Sequence, residues 1–302
     1  MHIPDGFLTP PVWATLDALA IPCVALFTRR AQRSTDESKL PLLGVMGAFV
    51  FAAQMINFPV GPGVSGHLVG GALLAATLGP ASAAVVMTAI LALQALVFQD
   101  GGILCLGANV FNMAIAGVLA GYLPYRMLAA RKSLALFTGA FFSVLVSACL
   151  ALAELLFSGV KMPTGILGVS LGFFVVSAIL EGGITVAVVK AIDRLNPAWV
   201  SAPVETPRRQ AGWIAIAAIV LAVAGILFAS AAPDGIAKLS ADLGISAQAK
   251  SLFATPLAGY ELKALPLEWL RRAAAGICGF ALIYLACLGL ERLLRRRVAP
   301  EV

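Results

Sequence analysis

Long apolar runs fill this 302-residue chain and restrict its possible folds more than any other feature. Stretches at 9–28, 40–56, 80–98, 105–123, 133–157, 166–189, 211–230 and 272–290 reach or approach the roughly 20 mostly apolar residues that cross a bilayer core as a helix. Lipid offers no hydrogen bonds, so each unpaired backbone group exposed to it is costly, and a helical bundle is the solution open to such runs. The composition agrees: 60% hydrophobic, 12% charged, and a mean hydropathy of +0.95, outside the usual range of soluble domains. The expected fold is an all-α polytopic membrane protein.

A ninth apolar piece, 66–78, is too short to span comfortably and ends at Gly79-Pro80, which breaks a helix. It is expected to be a partial helix inserted into the bundle. The stretch Asn57-Phe58-Pro59-Val60-Gly61-Pro62-Gly63 that feeds it is either a cavity wall at membrane depth or a surface loop.

Basic residues set the orientation. Segments 29–39, 124–132, 190–210 and 291–302 hold most of the 21 lysines and arginines, among them Arg29, Arg30, Arg131, Lys132, Arg208 and Arg295. Only Lys161 is basic in a short loop of the opposite side. This distribution predicts nine crossings with the N-terminus outside. It also accounts for the net charge of +6 without nucleic acid. Residues 1–8 lack a positive region, so no cleavable signal peptide is expected.

Charges inside apolar runs are few and expensive. Asp17 and Glu181 are expected to face the bundle or a subunit contact, whereas Asp100 and Glu154 read as solvated helix ends. Cys23, Cys105, Cys149, Cys278 and Cys287 show no Cys-x-x-Cys spacing and read as small apolar residues, Cys105 alone remaining a distant metal-ligand candidate.

The chain contains two histidines, His2 and His67. A histidine directly after a free N-terminus offers three nitrogens in sequence: the Met1 amine, the deprotonated His2 amide and the His2 imidazole Nδ1. Their chelate rings have five and six members. Such donors suit nickel, copper and zinc, and a planar four-nitrogen set points to Ni(II) or Cu(II). His67 is the natural fourth ligand if the fold brings it near. Affinity is then expected to fall below about pH 7, because the ligands must shed protons. The alternative is an incidental terminal histidine and a satisfied loop histidine.

Three motifs in one order carry a resemblance: Met1-His2-Ile3-Pro4-Asp5-Gly6-Phe7; Asn57-Phe58-Pro59 to Ser65-Gly66-His67-Leu68; and Gln94-Ala95-Leu96-Val97-Phe98 through Asp100-Gly101-Gly102 to Leu106-Gly107-Ala108-Asn109-Val110-Phe111-Asn112-Met113. Residues 1 to about 197 resemble the CbiM/NikM family, the cobalt- and nickel-capturing substrate-specificity (S) components of energy-coupling factor (ECF) transporters. The resemblance implies a seven-helix S-component bundle with one short inserted helix. It also implies an N-terminal segment folded back into that bundle, and a metal held by Met1, His2 and His67. Asn57, Ser65, Gln94, Asp100, Asn109 and Asn112 become candidates to orient the imidazoles. Asp5 is expected to form a turn with Pro4 and Gly6 rather than to bind backbone amides.

Residues 198–210 read as a cytoplasmic linker, and residues 211–302 as a two-helix unit around an external segment, 231–271. That segment opens Ala232-Pro233-Asp234-Gly235-Ile236 and resembles the small CbiN/NikN subunit, with Ile236 in place of a leucine. The chain thus looks like a natural fusion. The resemblance implies no enzyme and no organic cofactor, but capture of Ni(II) or Co(II) as transported substrate in a bacterial cytoplasmic (inner) membrane. A transmembrane coupling subunit and two ATPase subunits would supply the energy, since the sequence has no Gly-x-x-x-x-Gly-Lys-Ser/Thr loop. Ala14 and Ala18 are a candidate contact for the coupling subunit. Nickel is favoured over cobalt by the planar geometry that an amide nitrogen imposes. The alternatives are a cobalt-specific S component for cobalamin synthesis, a stand-alone ion-coupled permease using Asp17 and Glu181, and an intramembrane serine hydrolase built on Ser65.

Overall fold

The structure, a computed structural model, describes residues 1–34, 40–195, 220, 230 and 232–294. It is a helical membrane bundle. Six of its helices are long and apolar enough to cross a bilayer, and a seventh, shorter apolar helix covers Leu42–Gln54. Helices α1 (Pro10–Ser34), α2 (Leu40–Gln54), α7 (Lys132–Phe157) and α8 (Thr164–Leu195) frame it. The 211–230 run and the 198–210 linker lie almost wholly outside the described residues.

The inserted piece is a helix, α3 (Gly71–Leu78), buried on nearly every side. It starts later than the apolar run because Gly70 adopts a left-handed conformation, φ 79°, leaving His67 to Val69 non-helical. Gly79, also at φ 79°, separates α3 from α4 (Pro80–Leu93), and Pro80 occupies the first turn of α4 where its missing N–H costs nothing. Helix α4 runs into a π-helical turn, Gln94–Phe98. After a loop, α5 (Leu106–Asn109), a second π-helical stretch (Val110–Gly117) and α6 (Val118–Met127) form one crossing. Such widened turns concentrate at functional sites.

One element departs from the expected all-α fold. Residues Phe58–Gly61 (β1) and Val64–Gly66 (β2) form an antiparallel hairpin with an irregularity between Pro59 and Gly61. The stretch expected as a cavity wall or plain loop is therefore a small sheet whose second strand delivers His67.

The C-terminal unit consists of a short helix α9 (Gly235–Asp242), irregular segments, and α10 (Glu268–Leu294). Helix α10 packs along α2 at close range. A Cβ on Gly279 would run into Phe51, and one on Gly47 would meet Cys287 and Val86, the small-residue contact that lets membrane helices approach. Phe98 stacks on Tyr260, with ring centroids 4.9 Å apart, and meets Phe51 at 5.2 Å. This aromatic group ties the segment before α10 to the bundle.

Candidate metal centre

The first eight residues fold back into the mouth of the bundle. Asp5 drives this: its carboxylate accepts the backbone N–H groups of Ile103, Leu104 and Cys105 at 2.9–3.2 Å. Asn109 clamps fully buried Ile3, accepting from its N–H at 2.8 Å and donating to its C=O at 3.1 Å. Gly102 N–H donates to the same carbonyl at 2.8 Å. The loop must present glycines here, since a Cβ on Gly102 would occupy the space of the Asp5 carboxylate and one on Gly101 would press on His2. Met1 and His2 end up only 8% and 7% exposed.

The two imidazoles stack nearly parallel, with centroids 5.6 Å apart and planes 10° from parallel. Hydrogen bonds fix their tautomers. His67 Nδ1 donates to the Leu68 carbonyl at 3.0 Å, so Nε2 carries the lone pair, and Nε2 lies 3.0 Å from the Met1 amine. His2 Nε2 meets Gln94 Oε1 at 3.1 Å. The Gln94 amide donates to Gln54 Oε1, and the Gln54 amide to the Val69 carbonyl, each at 2.8 Å. A carbonyl can only accept, so the polarity of this chain runs from Val69 outward and presents an acceptor to His2 Nε2–H. His2 Nδ1 is thereby left as the bare nitrogen. It has no hydrogen-bond partner among the described residues, although Asp100 Oδ1 stands 3.2 Å away at ion-pair distance without hydrogen-bond geometry. A buried polar atom left this way calls for a functional account.

Two carboxylates flank the nitrogens. Asp100 accepts the Tyr260 hydroxyl at 2.6 Å. Asp234 Oδ2 accepts from the Met1 amine at 2.7 Å and lies 3.9 Å from His67 Nε2. Burial pulls the His67 imidazole down to about 4, assisted by the positive amine and by His2. Burial alone would raise both carboxyls. At Asp100 the positive charge that His2 carries when protonated, with the Tyr260 hydroxyl, outweighs it, and at Asp234 the Met1 amine, with His67 when protonated, does so, holding both acids below the ordinary carboxylate range.

Glu181 of α8 supports the loop that carries His67. It is buried and accepts the N–H groups of Val69 and Gly70 at 2.7 and 2.8 Å. Asp17 likewise faces the bundle, accepting from Gly107 N–H at 2.7 Å.

The structure places Gln94 and Asp100 against His2, and Asn109 one step away on Ile3. Among the described residues the other candidates make no hydrogen bond to either imidazole. Asn112 donates to Glu154 at 2.8 Å. The Ser65 hydroxyl is committed to the Ala232 carbonyl at 2.7 Å, which leaves no nucleophile for a hydrolase. Asn57 contributes its backbone carbonyl to Ser230 N–H. Further corrections follow from packing. Glu154 is buried rather than a solvated end, Asp100 is held by His2 and Tyr260, and Asp5 binds distant amides rather than only shaping a turn. Cys105 is buried, its thiol is pushed up to about 12 by that burial and by Asp5, and it donates to the Pro4 carbonyl at 3.5 Å. Gln54, Asp234 and Tyr260 are site residues that sequence reasoning missed. Gln54 had one signal, as the sole polar side chain in the 40–56 run. Among the described residues no cluster of three or more His, Cys, Asp or Glu side chains could hold a metal; the grouping here depends on the terminal amine.

Comparison with known proteins places this geometry in context. The model of CbiM, the cobalt uptake substrate-specific transmembrane region, matches residues 2–199, and that of the PDGLE domain matches residues 208–296. A chain of Haloquadratum walsbyi described as a metal transport protein is 39% identical over 201 residues, covering 65% of this chain and 92% of that one. A chain of Archaeoglobus fulgidus described as a fused nickel transport protein, NikMN, is 37% identical over 205 residues, covering 65% and 67%. A crystal structure of a truncated transition metal transporter superposes with a TM-score of 0.57 at 32% identity, covering 64% of this chain and 99% of the other. This chain therefore belongs to the CbiM family, with a PDGLE domain joined to it in the same polypeptide.

Proposed function

We propose that this chain captures Ni(II) at the external face of a bacterial cytoplasmic membrane, as the substrate-binding component of an ATP-driven ECF importer. The observation that carries this reading is the 3.0 Å approach of the Met1 amine to the bare Nε2 of His67, beside a His2 whose Nδ1 is left free. In a square plane, amine, amide and Nδ1 occupy three corners, and the fourth donor must stand next to the amine. For metal–nitrogen bonds of about 2.0–2.1 Å, adjacent donors lie about 2.8–3.0 Å apart. The amine and His67 already have that spacing.

Four nitrogens in a plane suit nickel better than cobalt. The A. fulgidus relative is described as a fused nickel transport protein. Copper would bind such a set more tightly still, so selection in the cell rests partly on metal availability. Energy would come from a coupling subunit and two ATPase subunits, and exposed Ala14 and Ala18 on lightly buried α1 offer a small-residue face to the former. Asp17 and Glu181 each hold backbone amides, which argues against a stand-alone permease using them as proton carriers.

The test is a Ni(II) titration followed by visible absorption, comparing protein that begins at Met1 with protein carrying one extra residue before it. A planar-type spectrum at one equivalent in the first and its loss in the second is the expected result. Equal binding by both would remove the amine from the site and overturn the reading.

A further inference from the structure

The metal-capture reading leaves Asp234 without a role, although its carboxylate touches two of the nitrogens involved. It caps α9: Oδ1 accepts Ala237 N–H at 2.8 Å, the usual use of an aspartate at a helix start. Oδ2 is left for the site, 2.7 Å from the Met1 amine and 3.9 Å from His67 Nε2. The segment carrying it is registered on the hairpin by backbone bonds from Ser65 N–H to Pro233 O at 2.9 Å and from Ser230 N–H to Asn57 O at 2.7 Å. Its position is thus built and not incidental.

Exposure and charge indicate what it does. The side chains of His2 and His67 are 4% and 8% exposed, against 22% for Asp234, which also lines a cavity with Met1, Ser65, His67, Ser177 and Gly235. A hydrated cation arriving from that side meets the carboxylate before the nitrogens. Its negative charge attracts a divalent ion while the His2 amide is still protonated and neutral.

We infer that Asp234 is an entry ligand: its Oδ2 takes the incoming divalent ion together with His67 Nε2, then yields it to the Met1 amine and the His2 nitrogens. Two metal-bound waters leave as the carboxylate and His67 Nε2 bind. The amine and amide protons pass to solvent as those nitrogens and His2 Nδ1 replace the carboxylate and the remaining waters. The PDGLE domain thereby supplies a metal-binding atom to the CbiM region.

This rests on the capture reading, and stopped-flow absorption separates the two. Ni(II) is mixed with the full chain, with Asp234→Asn, and with Asp242→Asn as a control for general attraction by acidic charge. Asparagine remains a good helix cap, so α9 is preserved. The expected result is an association rate at least about tenfold slower for Asp234→Asn alone, with the final planar spectrum and one-to-one stoichiometry retained. An unchanged association rate, a change confined to dissociation, or equal slowing by Asp242→Asn would overturn the entry role. No planar spectrum in the parent chain would sink the capture reading itself, and this inference with it.

Discussion

Gln54 and Gln94 are joined by a 2.8 Å amide–amide hydrogen bond inside the bundle, and through it the loop that carries His67 dictates the tautomer of His2. Gln54→Leu removes the carbonyl that accepts from the Gln94 amide while keeping the site filled. Metal affinity is expected to fall about 10–100-fold, as for other residues that orient a ligating histidine. The fold should survive. A competition titration with a calibrated chelator measures this, and wild-type affinity in Gln54→Leu would show that the relay does not set the ligand.

Asp5 holds three backbone amides that have no other partner offered to them in the 103–105 turn. Asp5→Ala is expected to cost about 1 kcal/mol, since of the three donors Cys105 is buried while Leu104 is exposed to water, and to free the first residues from the loop. Amide hydrogen exchange at Ile103, Leu104 and Cys105 should accelerate, with metal affinity lost in parallel. Unchanged protection at these amides would mean that Asn109 alone seats the segment.

The pH dependence has a definite shape. His67 is lowered to about 4, so it is neutral and competent to ligate throughout pH 5–8, and only more acidic solutions protonate it. Affinity should nonetheless rise with pH, because binding expels the His2 amide proton, while His67 adds nothing to that rise above about pH 5. The His67 ring signals of the metal-free protein, followed by NMR from pH 5 to 8, should stay constant, and a titration of that ring within this range would show that His67 also gives up a proton.

Glu181 offers two oxygens to two amides, whereas Gln would turn an N–H₂ toward one of them. Glu181→Gln should lower stability by about 1.5–3 kcal/mol, the range for hydrogen bonds to a charged group. Nickel should restore part of that loss if the loosened loop is the one that binds it. Thermal unfolding with and without metal gives both numbers, and equal melting of mutant and parent would deny Glu181 its structural part.

The sequence was most readable where a single physical demand rules. Apolar length located helices such as Lys132–Phe157 and Glu268–Leu294, and Gly79-Pro80 located the end of the inserted α3. The hairpin was not legible, because Pro59 and Gly61 are poor strand residues and the strands form around a packed ligand loop. Nor could position along a run show where a carboxylate points. Asp100 and Glu154 both sit near helix ends, yet one faces His2 and the other lies buried against Asn112. His2 and His67 stood out by rarity and by the place of His2 after the terminal amine, and Gln54 as the lone polar side chain of its run, but Asp234 and Tyr260 reach the site through tertiary contacts with distant segments.

The bond between Met1 and Asp234 spans 233 positions, a loop that takes in most of the chain. Contacts of such separation form late, after the entropy of closing the loop has been met. During synthesis the first residue must therefore wait until the last third of the chain has been made and has settled over it. The pocket is complete only then.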